Sequence, residues 1–241
     1  NPNGCPSIAD VDGNGIPNIL VSKYNLINNF EFDGTNVLKL IWSYKVIDTT
    51  AWTGVTTFDL NGDGIQEILY RDHKFIYVID GSVNPPQIID SKVCLSGTAQ
   101  EYPIIADIDN TGQSKICTIC SNGKDYNIFG RLTVYGSPDT LSGWAPARSV
   151  WNQYAYNPLY INDDLTVPQY QKNQATYRKG KYNNFTQQES LLDTNGIYKV
   201  PAASLIGQIN CINFDPQTNE YIVVFDLYNR KDASNQADSN L

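Results

Sequence analysis

Three acidic loops contain the residues whose types and spacing favour chemistry, and that chemistry is cation binding. Loop two, residues 59–67, is the most complete and offers oxygen ligands at alternate positions along a turning backbone. Hard oxygens in this arrangement suit Ca²⁺, which takes about six to eight of them. Gly62 and Gly64 allow the positive φ angles that such a wrap requires. The predicted calcium ligands of loop two are Asp59, Asn61, Asp63, the Ile65 carbonyl and Glu67.

Loop one, residues 10–18, repeats the pattern with less negative charge. It offers two carboxylates where loop two offers three, so we expect it to bind Ca²⁺ more weakly. In both loops the protein's own side chains fill most of the coordination shell, which predicts a structural rather than a catalytic ion. The predicted ligands of loop one are Asp10, Asp12, Asn14, the Ile16 carbonyl and Asn18.

Loop three, residues 107–115, departs from the pattern at its ninth position, where a lysine replaces the oxygen ligand. The ammonium group of Lys115 is expected to occupy the cation's place and to pair with both aspartates. We therefore expect graded occupancy, with calcium in loop two, weaker binding in loop one and no ion in loop three. The residues of this cation-substituted loop are Asp107, Asp109, Thr111 and Lys115.

An EF-hand shares the first half of this pattern and has to be considered. It requires a bidentate Glu at the twelfth position and a helix on each side of the loop. The twelfth residues here are Val21, Tyr70 and Thr118, and sequence typical of strands follows each loop. These features exclude an EF-hand.

The loops recur at a nearly constant interval, which indicates what must position them. Their first aspartates stand at residues 10, 59 and 107, so the steps are 49 and 48 residues. Short runs rich in β-branched and aromatic residues separate the loops, at about four strands per repeat, which is the spacing of a β-propeller blade. The first 140 residues contain no convincing amphipathic helix. The sequence thus predicts an all-β fold.

The repeat motif resembles a known family. An apolar strand, then Asp-x-Asp-Gly-Asn/Asp-Gly-x-x-Asn/Glu, then Ile-Leu, is similar to the FG-GAP repeat (VCBS-type, integrin-α-like), over about residues 4–138. The resemblance implies that each repeat is a propeller blade, with Ca²⁺ in the hairpin loop between its first two strands. Residues 223–230 resemble the start of a CARDB or Ig-like adhesion module.

Three regions follow from these patterns. Residues 1–143 are predicted to form about three FG-GAP-like blades of a partial propeller. Residues 144–200 are predicted to form an irregular connector, rich in aromatic residues and Asn, that packs on the propeller or serves as a binding surface. Residues 201–241 are predicted to begin an incomplete β-sandwich. Three blades do not close a propeller of about 4–8 blades, so we expect upstream blades from the same or another chain.

Composition excludes several classes of function. The net charge of −8 argues against nucleic-acid binding, and no apolar run reaches the ~18 residues of a membrane span. A single histidine, His73, leaves little for a histidine zinc site or a Ser–His mechanism. The Cys117–Cys120 pair lacks a second motif for zinc, so disulfides or buried thiols are favoured. The pairing among Cys5, Cys94, Cys117, Cys120 and Cys211 stays open.

The predicted function is non-catalytic. We expect a calcium-stabilised propeller segment of a secreted or cell-surface protein, extracellular, serving adhesion, ligand binding or as a scaffold, with a protein or glycan ligand. One alternative is a polysaccharide lyase, in which Arg148 with Tyr154 or Tyr156 would supply the base. Another is a lectin-like surface, in which Trp144, Trp151 and the neighbouring tyrosines would stack on sugar rings.

Overall fold

The chain folds into antiparallel sheets. The computed structural model describes residues 4–50, 52–98, 101–121, 130–138, 143–193, 195 and 205–229. The strands in these ranges are β1 Ser7–Ala9, β2 Asn18–Lys23, β3 Leu26–Phe32, β4 Leu38–Lys45, β5 Thr56–Phe58, β6 Glu67–Arg71, β7 Phe75–Asp80, β8 Gln87–Val93, β9 Ile104–Ala106, β10 Lys115–Ser121, β11 Gly130–Tyr135, β12 Leu205–Asp215 and β13 Glu220–Asn229.

Each sequence repeat corresponds to one sheet. Sheet one has the order β1-β2-β3-β4, sheet two has the order β5-β6-β7-β8, and sheet three has the order β11-β10-β9 in the described residues. Equivalent residues pair alike, since Ile19 lies opposite Phe30 in sheet one and Ile68 lies opposite Ile79 in sheet two. None of the sheets closes into a barrel. The all-β prediction is confirmed, and the sheets are consistent with a partial propeller.

The pattern of buried and exposed residues along the strands shows how the sheets stack. In β2 the even-numbered residues Asn18, Leu20 and Ser22 are buried, whereas the odd-numbered ones between them are partly exposed. Strand β6 is buried at all of its residues because sheet two has a neighbour on each face. One apolar cluster joins sheets one and two and includes Leu20, Ile27, Trp42, Ile68 and Ile79. The next joins sheets two and three and includes Leu69, Ile76, Ile105 and Ile116.

A disulfide between Cys94 and Cys120 also connects sheets two and three. Cys94 follows β8 and Cys120 lies in β10, 26 residues later. Cys117 is a buried free thiol, so the two cysteines of the CxxC motif are not bonded to each other. The structure thereby assigns one pairing that the sequence left open.

The connector passes along the open edges of the first strands. Between residues 144 and 193 it contains two short 3₁₀ turns, Pro158–Tyr160 and Tyr177–Gly180, and is otherwise irregular. We call residues 185–190 the strap. The buried Gln188 side chain donates from Nε2 to the carbonyls of Ile105 (2.7 Å) and Val150 (3.1 Å). The bridges of the strap are Phe185 with Ile8 of β1, Gln187 with Thr57 of β5, and Ser190 with Ala147.

Strands β12 and β13 form a two-stranded ribbon. Its apolar side chains are exposed on both faces, as Ile209, Ile212, Tyr221 and Ile222 show. Of the third predicted region, residues 201–204 and 230–241 lie outside the described residues, so the β-sandwich and the CARDB or Ig-like module stay predictions. No helix in the described part of the chain is long and apolar enough to cross a membrane.

The disulfide predicts a measurable loss of stability when it is removed. Closing a loop of this length restricts the unfolded chain, so replacing Cys94→Ser and Cys120→Ser together should lower the free energy of unfolding by about 3 kcal/mol. Urea unfolding followed by tryptophan fluorescence measures this change. Cys211→Ser, at an exposed free thiol, is the matched control and should leave the midpoint unchanged. Equal midpoints for the double variant and the control would contradict the prediction.

Candidate metal centre

Loops one and two are held by the same hydrogen bonds. In loop two the Asp59 carboxylate accepts from the backbone N–H groups of Gly62 (2.6 Å) and Gly64 (3.0 Å). In loop one Asp10 accepts from the corresponding glycines, Gly13 (2.7 Å) and Gly15 (2.8 Å). All four glycines have positive φ angles, between 73° and 91°. The first aspartate therefore fixes a backbone that glycine adopts without strain.

The third and fifth positions continue this pattern. The Asn61 side-chain oxygen accepts from the Asp63 N–H, and Asp63 in turn accepts from the Ile65 N–H. Asp12 and Asn14 accept equivalent bonds in loop one. Each short polar side chain thus forms a local turn with the backbone two residues on. These turns engage the side-chain oxygens of alternate loop residues with the loop's own backbone.

The ninth residue closes each loop from the following strand. In loop two a Glu67 carboxylate oxygen accepts from the Leu60 N–H at 2.6 Å. In loop one the Asn18 side-chain oxygen accepts from the Val11 N–H at 3.0 Å. Because Glu67 begins β6 and Asn18 begins β2, the last predicted ligand is attached to the sheet itself.

Negative charge is concentrated in loop two. Burial raises the pKa of Glu67 to about 8, and the charges of Asp59 and Asp63 contribute to the rise. Burial also raises the pKa of Asp59, against the opposing effect of the Gly64 and Gly62 N–H groups. The carboxylates are therefore close enough to destabilise one another's ionised form.

These carboxylates do not converge on a single point. Within the described ranges, no three His, Cys, Asp or Glu side chains form a group that could hold a metal ion. Every predicted carboxylate of loop two accepts a hydrogen bond from the loop backbone instead. The donor types and their order along the chain match a calcium loop, and the assignment of Ca²⁺ stays a prediction.

Loop one has a third carboxylate that the sequence analysis missed. Glu31, in β3, accepts hydrogen bonds from the side-chain amides of Asn14 (2.8 Å) and Asn18 (3.1 Å). Burial and the charge of Glu31 raise the pKa of Asp12. With Glu31 counted, loop one has three carboxylates, the same number as loop two. Only the pairing of β2 with β3 brings Glu31 to the loop, so no local motif contains it.

Loop three holds an ammonium group. Lys115 Nζ lies 3.1 Å from the Thr111 hydroxyl, 3.2 Å from the Gln113 carbonyl and 3.5 Å from an Asp109 carboxylate oxygen. These partners occupy the third, fifth and seventh positions of the loop. Asp107 instead accepts from the backbone N–H groups of Thr111 and Gly112. In the structure Lys115 forms an ion pair with Asp109. The sequence predicted that it would pair with both Asp107 and Asp109.

A cleft of about 530 Å³ lies between loops one and two and the connector. Asp10 and Asp59, the first residues of the two loops, both line it, so the loops share one opening. The opposite wall, from the connector, combines amide side chains with the apolar residues Pro158 and Leu192. The lining includes Gly15, Gly64 and Gln66 from the loops and Lys181, Tyr182, Asn183, Asn184, Gln187, Glu189, Ser190 and Asp193 from the connector.

The residues considered for a lyase lie largely in the interior. Arg148 is only 5% exposed, and its guanidinium donates to the carbonyls of Pro158 (3.0 Å) and Ile161 (2.9 Å) and to the Asp163 carboxylate. Burial alone lowers the pKa of Arg148, but the Tyr156 hydroxyl and Asp163 more than offset it, so its pKa is raised.

The aromatic residues of the connector pack on one another. Tyr156 is fully buried, and Trp151 stacks on it with ring centroids 4.2 Å apart. Tyr154 is partly exposed and meets Tyr102 edge-on at 4.3 Å. Trp144 packs against the apolar cluster between sheets two and three. Arg148, Tyr156 and Trp151 thus stabilise the connector.

Comparisons with known proteins agree with this architecture. Residues 10–70 match the family model of the FG-GAP-like repeat, which supports the resemblance for the segment containing loops one and two. The chain is similar in structure to the V. cholerae biofilm matrix protein Bap1, with a TM-score of 0.60 and 25% sequence identity. The similarity covers 71% of this chain and only 27% of that one. No curated protein matches the sequence.

The contacts of Arg148 generate a prediction. Replacing Arg148→Ala leaves two buried carbonyls without their donor, while the exposed Asp163 carboxylate gains water in place of the guanidinium, so the free energy of unfolding should fall by about 2–3 kcal/mol. Urea unfolding measures the change. Arg131→Ala, at an exposed position of β11, is the control and should change stability by less than about 0.5 kcal/mol. Similar small losses in both variants would show that Arg148 is not a structural residue.

Proposed function

We propose that this chain is part of an extracellular adhesion-type scaffold, made of stacked sheets whose loops bind calcium. The similarity to the biofilm matrix protein Bap1 carries this proposal, because it extends over most of the chain. The FG-GAP-like match and the disulfide support it, since disulfides persist in oxidising compartments outside the cytosol. We also propose that the full protein binds a protein or glycan ligand and that further blades complete the propeller.

A non-catalytic role fits the placement of the polar residues. Of the residues named for a lyase, Arg148 and Tyr156 are buried and hydrogen-bonded within the connector, whereas Tyr154 is partly exposed and packs edge-on against Tyr102. The Tyr156 hydroxyl donates to the Gln188 side chain at 2.7 Å, which ties it to the strap. A group engaged in packing in this way is not available as a base for a bound sugar.

We propose that loops one and two bind Ca²⁺ through the predicted ligands, with Glu31 contributing charge to loop one. The main support is loop three, where the Lys115 ammonium is a stand-in cation held by oxygens of the third, fifth and seventh positions. In loops one and two oxygen-bearing side chains replace the lysine. A bound calcium ion would neutralise their carboxylates and hold the hairpin in place.

The expected stabilisation is modest. Extracellular calcium modules bind with dissociation constants of about 10⁻⁴–10⁻³ M. At millimolar calcium this corresponds to about 0.5–1.5 kcal/mol of stability per site. That is enough to order a hairpin loop, and it is consistent with a structural ion.

Loop three provides a direct test of the calcium proposal. The substitutions Thr111→Asp and Lys115→Glu together give it the acidic fifth and ninth positions of loop two. Calorimetric titration should then show one more calcium ion per chain than the wild-type protein binds. Thr133→Asp with Lys92→Glu makes the same charge change on strands outside the loops and should add no site. An unchanged stoichiometry in the loop-three variant would contradict the proposed role of Lys115.

Glycan binding is a second candidate function, and the cleft favours it. Its wall includes Asn183, Asn184 and Gln187, whose amides each donate and accept hydrogen bonds and so match sugar hydroxyl groups. Its volume lies within the range of pockets that hold small ligands. In this case the scaffold would bind a polysaccharide directly between loops and connector.

A polysaccharide-binding assay tests the glycan-binding role and distinguishes it from lyase activity. The purified chain is applied to immobilised dextran, alginate and pectate, with calcium or with a chelator. We expect retention in calcium without release of unsaturated uronates, and weaker retention of Asn183→Ala than of the control Asn152→Ala, which lies outside the cleft. Release of unsaturated uronates would establish the lyase instead, and a lack of retention on every matrix would contradict the glycan role.

A further inference from the structure

The connector contains a basic segment within an acidic chain. The chain has 25 acidic and 17 basic side chains, which gives the net charge of −8. Residues 165–188 reverse this balance, because they include four Lys or Arg side chains and no Asp or Glu. We call residues 170–181 the basic loop. Its cations are Lys172, Arg178, Lys179 and Lys181.

Three of these cations gather around two stacked tyrosine rings. Lys172 Nζ and the Arg178 guanidinium carbon each lie 5.6 Å from the centre of the Tyr177 ring. Tyr177 stacks on Tyr182 with ring centroids 5.8 Å apart, and Lys181 Nζ lies 5.4 Å from the centre of the Tyr182 ring. The face of an aromatic ring attracts a cation. The rings therefore hold like charges close together.

Tyr182 anchors this cluster to the interior. Its side chain is buried, and its hydroxyl donates to the Glu189 carboxylate at 2.8 Å. Glu189 also lies 3.5 Å from Lys181 Nζ and neutralises part of that charge. Lys172 and Lys179, by contrast, are exposed to solvent. The basic loop thus presents positive charge outward from a fixed base.

The backbone of the basic loop adopts a conformation that is rare for residues with a Cβ. Arg178 (φ 47°, ψ 47°) and Lys179 (φ 59°, ψ 31°) are both left-handed, and Gly180 follows with a φ of 83°. Backbone strain of this kind is concentrated at functional sites. The Asn173 carbonyl supports the turn by accepting from the Tyr177 N–H at 2.8 Å. Two adjacent cations are thereby placed at a sharp bend.

We propose that the basic loop binds an anionic polysaccharide, whose acidic groups pair with its Lys and Arg side chains. This inference rests on the proposed glycan-binding role, and it names the class of glycan and a second surface for it beside the cleft. Amide and phenol groups, which match sugar hydroxyls, stand next to the cations in the sequence and are exposed. They are Gln169, Tyr170, Gln171 and Asn173. Tyr170 is 78% exposed, so its ring can stack on a sugar.

Other anionic partners fit this surface less well. Double-stranded DNA carries about one negative charge per 1.7 Å, and the net charge of −8 repels so dense a polyanion. An anionic membrane would require apolar anchors beside the cations. The exposed apolar residues that precede the basic loop, Leu165 and Val167, directly follow Asp163 and Asp164, which an anionic lipid surface repels.

The experiment measures binding of the purified chain to sodium alginate, a polyuronate, and to dextran, a neutral glucan, in the presence of a chelator. The chelator prevents calcium from bridging carboxylates, so binding to alginate reports on the protein's own cations. We expect binding to alginate and weaker binding to dextran. Raising the salt from about 0.05 M to about 0.3 M should weaken the binding to alginate about tenfold, because salt screens charge pairs.

Substitutions locate this binding on the basic loop. Lys172→Gln with Lys179→Gln removes two exposed cations and should weaken alginate binding about tenfold. Lys23→Gln with Lys45→Gln makes the same charge change at exposed positions of β2 and β4, and should alter it less than about twofold. Lys172→Arg with Lys179→Arg keeps both charges and should bind like the wild-type protein. Equal urea midpoints confirm that the variants are folded.

The outcomes separate failure of this inference from failure of the glycan-binding role. Alginate binding that persists in Lys172→Gln with Lys179→Gln, or that falls equally in the Lys23 and Lys45 control, would overturn the role of the basic loop. Binding to dextran alone would also overturn it, while the glycan role of the cleft would stand. An absence of binding to either polysaccharide, with or without calcium, would contradict both. Tighter binding to phosphatidylserine vesicles than to alginate would make the partner a membrane and overturn the polysaccharide.

Discussion

The hydrogen bonds from two glycine N–H groups to the first aspartate are the interaction on which each candidate loop depends. Asp10 and Asp59 both receive them, and they hold each loop in a conformation with positive φ angles at two glycines. The remaining side chains then follow at alternate positions because the backbone turns around the anchored carboxylate. Loop three retains its first aspartate with shifted partners, Thr111 and Gly112, and accommodates a lysine.

The loops matter to the fold because they join the first two strands of each sheet. The first strand is short and lies at the sheet's open edge, where unpaired backbone groups require partners. The strap supplies part of that pairing, since it bridges β1 and β5 in succession. Loop and strap meet at the shared cleft, so a ligand bound there would contact both.

Local patterns in the sequence predicted the repeats and the all-β class, because a loop and its flanking strands lie within about twenty residues. Three features escaped prediction because they depend on tertiary contacts. Glu31 reaches loop one only through strand pairing, Cys94 meets Cys120 only when two sheets stack, and the strap pairs Phe185 with Ile8 across most of the chain. The partners of Arg148 could not be predicted either, because Pro158, Ile161 and Asp163 meet its guanidinium only in the folded connector.

The interactions that hold the loop of sheet three differ from those that hold the loops of sheets one and two. Sheet three has a covalent link to sheet two through Cys94 and Cys120, and its loop has the permanent charge of Lys115. Sheets one and two have carboxylate-rich loops that touch each other through Ile65. On the proposed function, calcium would bind in the first two loops, and the ammonium group of Lys115 would occupy the corresponding place in the third. On that proposal, the protein would respond to calcium through sheets one and two and not through sheet three.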